Sequence, residues 1–244
     1  MTSPTDNPLF ALALLQAIND WQKSSSPKRG TTLKRLATSL PAKFQTCHLC
    51  CFRQIALDKG SVWDLLAENQ LPEKISAWTT DLAIAKSFKG GVPPQGQGWQ
   101  GVIFVLFPRP EHVVLNLSAL YHDAAFNAAA KTHKSSIKYF ADGIGRYGNS
   151  QSEVILEIPD LSVLDVHALG GFSSNRDELA RLFFGKVPAA KELAWFDDAL
   201  EKSGEQLGPA WTEGDSVNRI VKRMQPHVEA LKTIKAVQEA EKKS

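Results

Sequence analysis

Gln151-Ser152-Glu153-Val154-Ile155-Leu156-Glu157-Ile158-Pro159 is the stretch that decides the fold. Val154 to Ile158 is an apolar, partly β-branched run stopped by a proline, the pattern of a buried strand. It opens on an acid, Glu153, after a loop-like run from Thr132 to Ser150 that carries Gly143, Gly145 and Gly148. Two other stretches match it. In Cys50-Cys51-Phe52-Arg53-Gln54 an arginine stands near the end of a strand expected over His48 to Ile55. In Ser76-Ala77-Trp78-Thr79-Thr80-Asp81 a hydroxyl-rich strand end runs into a helix containing Ala85 and Phe88.

Outward from these, strands and helices mix. Pro8 to Ile18 reads as a buried helix with Asn7 as N-cap and Pro8 in its first turn. Leu33, Leu36 and Leu40 give a short helical stripe, and Ser61 to Asn69 a helix with Ser61 and Asp64 in capping-box positions. Lys74 to Thr79 reads as a strand, and Asp81 to Lys89 as a helix capped by Thr80 and stopped by Gly90-Gly91. Gly90 to Gln100, rich in Gly, Pro and Gln, is a loop. Gly101 to Phe107 and His112 to Leu117 are strands, Ser118 to Lys131 is a helix, and Leu161 to Leu169 is the hairpin partner of the Glu153 strand. Beyond Gly170-Gly171 the spacing turns helical. Val217, Ile220, Val221, Met224, Val228, Leu231, Ile234 and Val237 form the longest stripe, with a kink expected at Pro226. The expectation is an α+β fold, with a domain over 1–170 and a helical C-terminal extension over 171–244 packed on it.

The composition is globular: 244 residues, 43% hydrophobic, with a formal charge of +2. Those values exclude wholesale disorder. No segment approaches the roughly 20 apolar residues of a membrane helix. Three cysteines, two of them adjacent, cannot build a disulfide framework. A cytoplasmic location is therefore expected. Charge is uneven along the chain. From Trp21 to Leu57 there are seven basic residues (Lys23, Lys28, Arg29, Lys34, Arg35, Lys43, Arg53) and no acid. Lys131, Lys134, Lys138 and Arg146 are opposed only by Asp142. The two stretches are either solvated surfaces or the walls of a polyanion groove.

Several chemistries drop out. Cys47-His48-Leu49-Cys50 lacks the second ligand pair that structural zinc needs, so no metal site is expected. There is no phosphate-binding Gly-x-x-x-x-Gly-Lys loop, no dinucleotide fingerprint placed between strand and helix, and no Gly-x-Ser-x-Gly elbow.

The order of Arg53, the Ser76–Asp81 stretch, the Gly/Pro loop and Gln151-Ser152-Glu153 resembles the Arg–Ser–Glu group of mono-ADP-ribosyltransferases, which includes bacterial toxins, phage enzymes and toxin–antitoxin components. The resemblance covers about Leu49 to Leu169. It implies a split β-sandwich with surrounding helices and NAD as co-substrate. Glu153 would stabilise the oxocarbenium-like ribose through its 2′-hydroxyl. Arg53 would take the pyrophosphate with its planar fork. Thr79 and Thr80 would orient Glu153 and the ribose, with a strand-end cap as their plainer role, and Trp99 would offer an aromatic contact. The first hydroxyl of the family's pattern falls on Ala77, or on Ser76 if the register slips by one, and Gln54 stands where the family often has glycine.

Gln151 selects among acceptors. In the resembling family a Gln here goes with asparagine side chains or nucleobases, and a Glu with arginine. An amide both donates and accepts, which suits an amide or exocyclic amine. The favoured acceptor is a nucleobase in single-stranded nucleic acid, RNA before DNA, with Tyr147 stacking a base. A protein asparagine, water (an NAD glycohydrolase) and a non-catalytic binding module are the alternatives. A free transferase of this kind implies a neutralising antitoxin protein, with the C-terminal helix as one docking surface for it.

Overall fold

The computed structural model of the chain describes residues 8–58, 61–68, 71, 73–93, 99–162, 165–173, 176–203 and 207–243. The Asn7 cap and residues 94–98 of the Gly/Pro loop lie outside them, as does the Trp99 side chain. The chain is α+β. Its elements, in order, are α1 (Leu12–Lys23), α2 (Pro27–Ala37), β1 (Cys51–Asp58), α3 (Ser61–Glu68), β2 (Ile75–Thr79), α4 (Leu82–Ser87), β3 (Trp99–Leu106) and β4 (Val113–Asn116). They continue as α5 (Leu117–Tyr121), α6 (Ala124–Thr132), α7 (Ile144–Tyr147), β5 (Glu153–Glu157), β6 (Val166–Ser173), α8 (Arg176–Phe184), α9 (Ala190–Ser203), β7 (Gly208–Thr212) and α10 (Gly214–Lys243).

Local chemistry sets several boundaries. Ser26 caps α2 by accepting from the Arg29 N–H, ahead of Pro27 in the first turn. Asp81, not Thr80, caps α4, its Oδ1 accepting from the Ala83 N–H at 2.8 Å. The helix expected over Ser118 to Lys131 is two helices. Asn116 caps the first, and Asp123 starts the second by accepting from Ala125 and Phe126 N–H. Each short side chain competes with the helix for its own backbone, which restarts the chain there.

The seven strands form one antiparallel sheet in the order β4-β5-β2-β1-β3-β6-β7. Three corrections to the expected organisation follow. The segment after β5 is not its hairpin partner, since β6 pairs with β3 and β7. The boundary expected at residue 170 falls inside β6, and β7 places a strand in the stretch expected to be helical. The longest apolar stripe is helical as expected, but α10 runs uninterrupted through Pro226, and of the stripe only Val217, Val221 and Val228 are buried, in the core around Trp63 and Trp78, while Ile234 and Val237 stay exposed.

The sheet is pinched in the middle. β1 pairs with β3 along its full length, from Cys51↔Leu106 to Asp58↔Trp99, but with β2 only at Phe52↔Thr79. β4-β5-β2 and β1-β3-β6-β7 are therefore two half-sheets joined at one point. One core fills a face of the first half with Leu15, Ile18, Leu33 and Phe126 from the N-terminal and middle helices, against Leu115 and Ile155. A second core on the opposite face joins Trp63, Leu66, Trp78, Phe104, Val154 and Leu156. A small third cluster, Ala85, Ile103 and Ala168 with Phe52 packed on it, covers the other half-sheet. The alternation of side chains places the first and third cores on the same face, with the pinch between them. No described helix is long and apolar enough to cross a membrane.

Candidate active site at the pinch of the sheet

Glu153 opens β5 and pairs with Thr79 of β2, which in turn pairs with Phe52 of β1. Directly opposed residues of antiparallel strands share a face, so Glu153, Thr79 and Phe52 form a row across the pinch. Thr79 is thus the hydroxyl opposite Glu153, rather than Ala77 or Ser76. Ser76 faces the other way, where its Oγ accepts from Trp78 Nε1 at 3.0 Å. Thr79 Oγ1 accepts from the Asp81 N–H at 3.1 Å, which leaves its own proton to donate.

Glu153 is only 6% exposed. Its Oε1 accepts from the indole Nε1 of Trp21, on α1, at 2.7 Å. Burial pushes its carboxyl up from 4.5 to about 7, against the opposing pull of Trp21, Arg53 and Gln22. The loop before it is tied down on both sides. Thr80 donates to the Ser152 carbonyl from its backbone N–H (3.1 Å) and its hydroxyl (3.4 Å). Gln22 Nε2 donates to the Gly148 carbonyl at 3.1 Å, and the Tyr121 hydroxyl donates to Gln22 Oε1 at 2.7 Å. Burial and the Glu153 charge together push the Tyr121 hydroxyl well above the usual phenol range. Ser152 is held at φ 44°, a left-handed conformation that costs a non-glycine residue of order 1–3 kcal/mol. Thr80 therefore positions the Glu153 strand instead of capping a helix. Gln151 sits half-exposed in the turn two residues before Glu153.

Arg53 lies on the other side of the pinch, and its charge and that of Glu153 act on each other. Its fork is not free. Nη1 donates to the Ala77 carbonyl and Nη2 to Glu73 Oε2, both at 2.8 Å. Desolvation pulls the guanidinium below the ordinary arginine range, and the Glu73 carboxylate resists this. Arg53 Nε has no hydrogen-bond partner among the described residues, nor does Gln54 Oε1 beside it or Asn149 Oδ1 in the loop before Glu153. Gln54 Nε2 meanwhile donates to the Gly91 carbonyl at 2.8 Å, fixing the start of the Gly/Pro loop against β1. The far wall is charged as well. A register shift in the β3–β6 pairing marks the position of His167, whose ring lies edge-on to Phe52 at 5.3 Å. His167 Nε2 is 3.4 Å from Glu213 Oε1, and Lys86 Nζ is 2.8 Å from Glu213 Oε2.

Sequence reading therefore placed Glu153, Thr79, Thr80 and Arg53 in one neighbourhood, but missed Trp21, Gln22, Tyr121 and Glu73. Trp21 and Gln22 read as residues of an N-terminal helix far from the strands. Only their long-range hydrogen bonds reveal them. The first basic stretch is also less cationic in space than along the chain. Lys34 pairs with Glu157, Lys43 with Asp123 at 2.8 Å, Lys23 with Asp142 at 3.7 Å, and Arg53 with Glu73. Among the described residues, no group of three His, Cys, Asp or Glu side chains is arranged to hold a metal ion. No family model, curated protein or solved structure matches the chain.

Proposed function

We propose that the pinch is the active site of a mono-ADP-ribosyltransferase with NAD as co-substrate, a toxin whose sheet is the split sandwich of that group. One observation carries the reading: a buried carboxylate, Glu153, stands opposite a hydroxyl with a proton to give, Thr79, where the half-sheets part. Unpartnered buried polar atoms of Arg53 and Gln54 lie on the neighbouring strand. A structural carboxylate gains nothing from desolvation. One that must stabilise positive charge gains a great deal, because its field is not screened by water.

In this reading ionised Glu153 accepts from the ribose 2′-hydroxyl as the bond from C1′ to the nicotinamide nitrogen breaks. The bonding pair leaves with nicotinamide. The acceptor nitrogen forms the new bond to C1′ and releases one proton. Trp21 and Gln22 hold the carboxylate ionised, Thr79 fixes its orientation, and Gln151 holds the acceptor. Arg53 reaches the pyrophosphate through its Nε–H and by exchanging Glu73, whose carboxylate already stands where an anion binds. The acceptor that Gln151 suits is a nucleobase, with an asparagine side chain next. Such an enzyme works in a cytoplasm and needs a neutralising partner protein.

The test is incubation of the protein with labelled NAD and total cell extract at pH 8, where Glu153 is ionised. Nicotinamide release with label in the RNA fraction is expected. Label in protein reassigns the acceptor, release without label leaves a glycohydrolase, and no release refutes the chemistry.

A further inference from the structure

Tyr139 holds a strained backbone conformation and leaves its ring in water. It sits at φ 59° and ψ 35°, left-handed, and its side chain is among the exposed large apolar groups at 66%. An aromatic residue in that backbone region is strained by roughly 1–3 kcal/mol, and a ring left in water recovers little of it by burial. The strain is nonetheless locked in from α1. Buried Asn19 donates from Nδ2 to the Lys138 carbonyl at 3.0 Å and to the Tyr139 carbonyl at 3.3 Å. Gln16 accepts from the Lys138 N–H at 2.8 Å, and Asn19 Oδ1 accepts from the Ile144 N–H at 2.9 Å. A Cβ at Gly143 would lie 2.4 Å from the Asn19 carbonyl oxygen, so only glycine lets this segment come so close.

The clamped segment displays cations and rings together. Lys23 Nζ is 3.6 Å from the centre of the Tyr139 ring, Lys134 Nζ is 5.6 Å from that of Phe140, and the Arg146 guanidinium is 5.2 Å from that of Tyr147. Lys138, also exposed, directly precedes Tyr139. Residues 131–148 run on into the loop before Glu153, whose Gly148 carbonyl Gln22 of α1 holds, so the segment leads along the chain to the candidate active site.

From this we infer that residues 131–148 with Lys23 form a docking platform for single-stranded nucleic acid. Tyr139 stacks one base, its ring supported by Lys23, which pairs with Asp142, while Lys134, Lys138 and Arg146 follow the phosphates. The inference rests on the transferase reading for its purpose, the delivery of an acceptor base to Glu153. A basic surface alone would take any polyanion. A rigidly presented exposed ring adds a demand for unpaired bases, whose faces a duplex hides. The stacking residue is Tyr139, in place of the Tyr147 expected from sequence, because Tyr147 is half-buried beside Arg146.

The test is fluorescence anisotropy with labelled RNA and DNA single strands of about 12 nucleotides and a duplex of the same length, at low and high salt. Single strands should bind more tightly than duplex. Tyr139→Asn removes the ring with a residue that tolerates left-handed backbone, so the fold is retained. It should weaken single-strand binding about tenfold at every salt concentration. Lys134→Glu with Lys138→Glu should instead flatten the salt dependence. Equal affinity of Tyr139→Asn and wild type, or duplex binding as tight as single-strand binding, overturns the platform. Nicotinamide release by the wild type without nucleic acid is read in parallel. Release without strand binding discards the platform and keeps the chemistry, and strand binding without release does the reverse.

Discussion

Replacing Glu153 with Gln should both abolish NAD cleavage and stabilise the protein, by an amount that depends on pH. The carboxyl is lifted from 4.5 to about 7 in the fold, chiefly by burial. At about 1.4 kcal/mol per pH unit, ionising it in the folded protein costs roughly 3 kcal/mol more than in the unfolded chain. The sign follows from which state holds the proton. Below 4.5 both states are protonated and the cost is zero. Between 4.5 and about 7 the folded state binds the proton more tightly, so stability falls as pH rises. Above about 7 the full cost persists. Gln is close to isosteric, keeps an oxygen to accept from Trp21 Nε1, and does not titrate.

The stability gap between Glu153→Gln and wild type should therefore widen by roughly 3 kcal/mol from pH 4 to pH 8, or about 6–12 °C in melting temperature for a chain of this size. Comparison with the wild type at each pH cancels every group the two proteins share. Urea unfolding followed by tryptophan fluorescence reads it directly, since Trp21 touches the altered side chain. Nicotinamide release at pH 8 is measured on the same samples. A gap that stays flat with pH, or a variant less stable than wild type at pH 8, would show that Glu153 is not held ionised at the expense of the fold, and the argument for its role would go with it.

Two other perturbations probe the partners of Glu153. Trp21→Phe removes the hydrogen bond that favours the ionised carboxylate, so the acid limb of NAD cleavage, centred near 7, should move up by about one pH unit or more; an unmoved limb in a folded variant assigns it to another group. Glu73→Gln weakens the hold on Arg53 Nη2, so KM for NAD should fall severalfold in steady-state nicotinamide release; a rise would mean that Glu73 keeps the guanidinium in place rather than occupying an anion position.

What the sequence disclosed and what it withheld divides along a physical line. The strands bearing Arg53, Thr79 and Glu153 were legible because apolar runs bounded by turn residues are local signals. The short side chains that restart helices were legible in type but not in assignment. Thr80 and Asp81 are both good caps, and only the structure shows Asp81 taking the helix while Thr80 holds Ser152. β7 escaped because Gly208–Thr212 is short, holds a proline, and lies among helical periods. The pairing of β6 with β3 was invisible because it joins strands some sixty residues apart in the chain. The reach of Trp21 and Gln22 to the site is of the same non-local kind. Charge counted along the chain misled for this reason too: Lys34, Lys43 and Arg53 find their carboxylates in distant segments.

The pinch also shapes the chemistry of the candidate site. Continuing the β1–β2 register from Phe52↔Thr79 would set Gln54 opposite Ala77 and close the ladder between them. The strands part instead, and the Ala77 carbonyl is satisfied by the Arg53 guanidinium. Gln54 turns to the Gly91 carbonyl. The Arg53 side chain thus takes the place of a ladder bond, and Arg53 Nε and Gln54 Oε1 are buried polar atoms with no partner among the described residues. A closed ladder would pair the Ala77 carbonyl with backbone and leave the Arg53 fork uncommitted to it. The interruption therefore leaves hydrogen-bonding capacity beside Thr79 and Glu153 that the fold does not consume. Such capacity is costly to bury unused. That cost would be recovered if a polar ligand entered between the half-sheets, which is the binding step the proposed reaction requires.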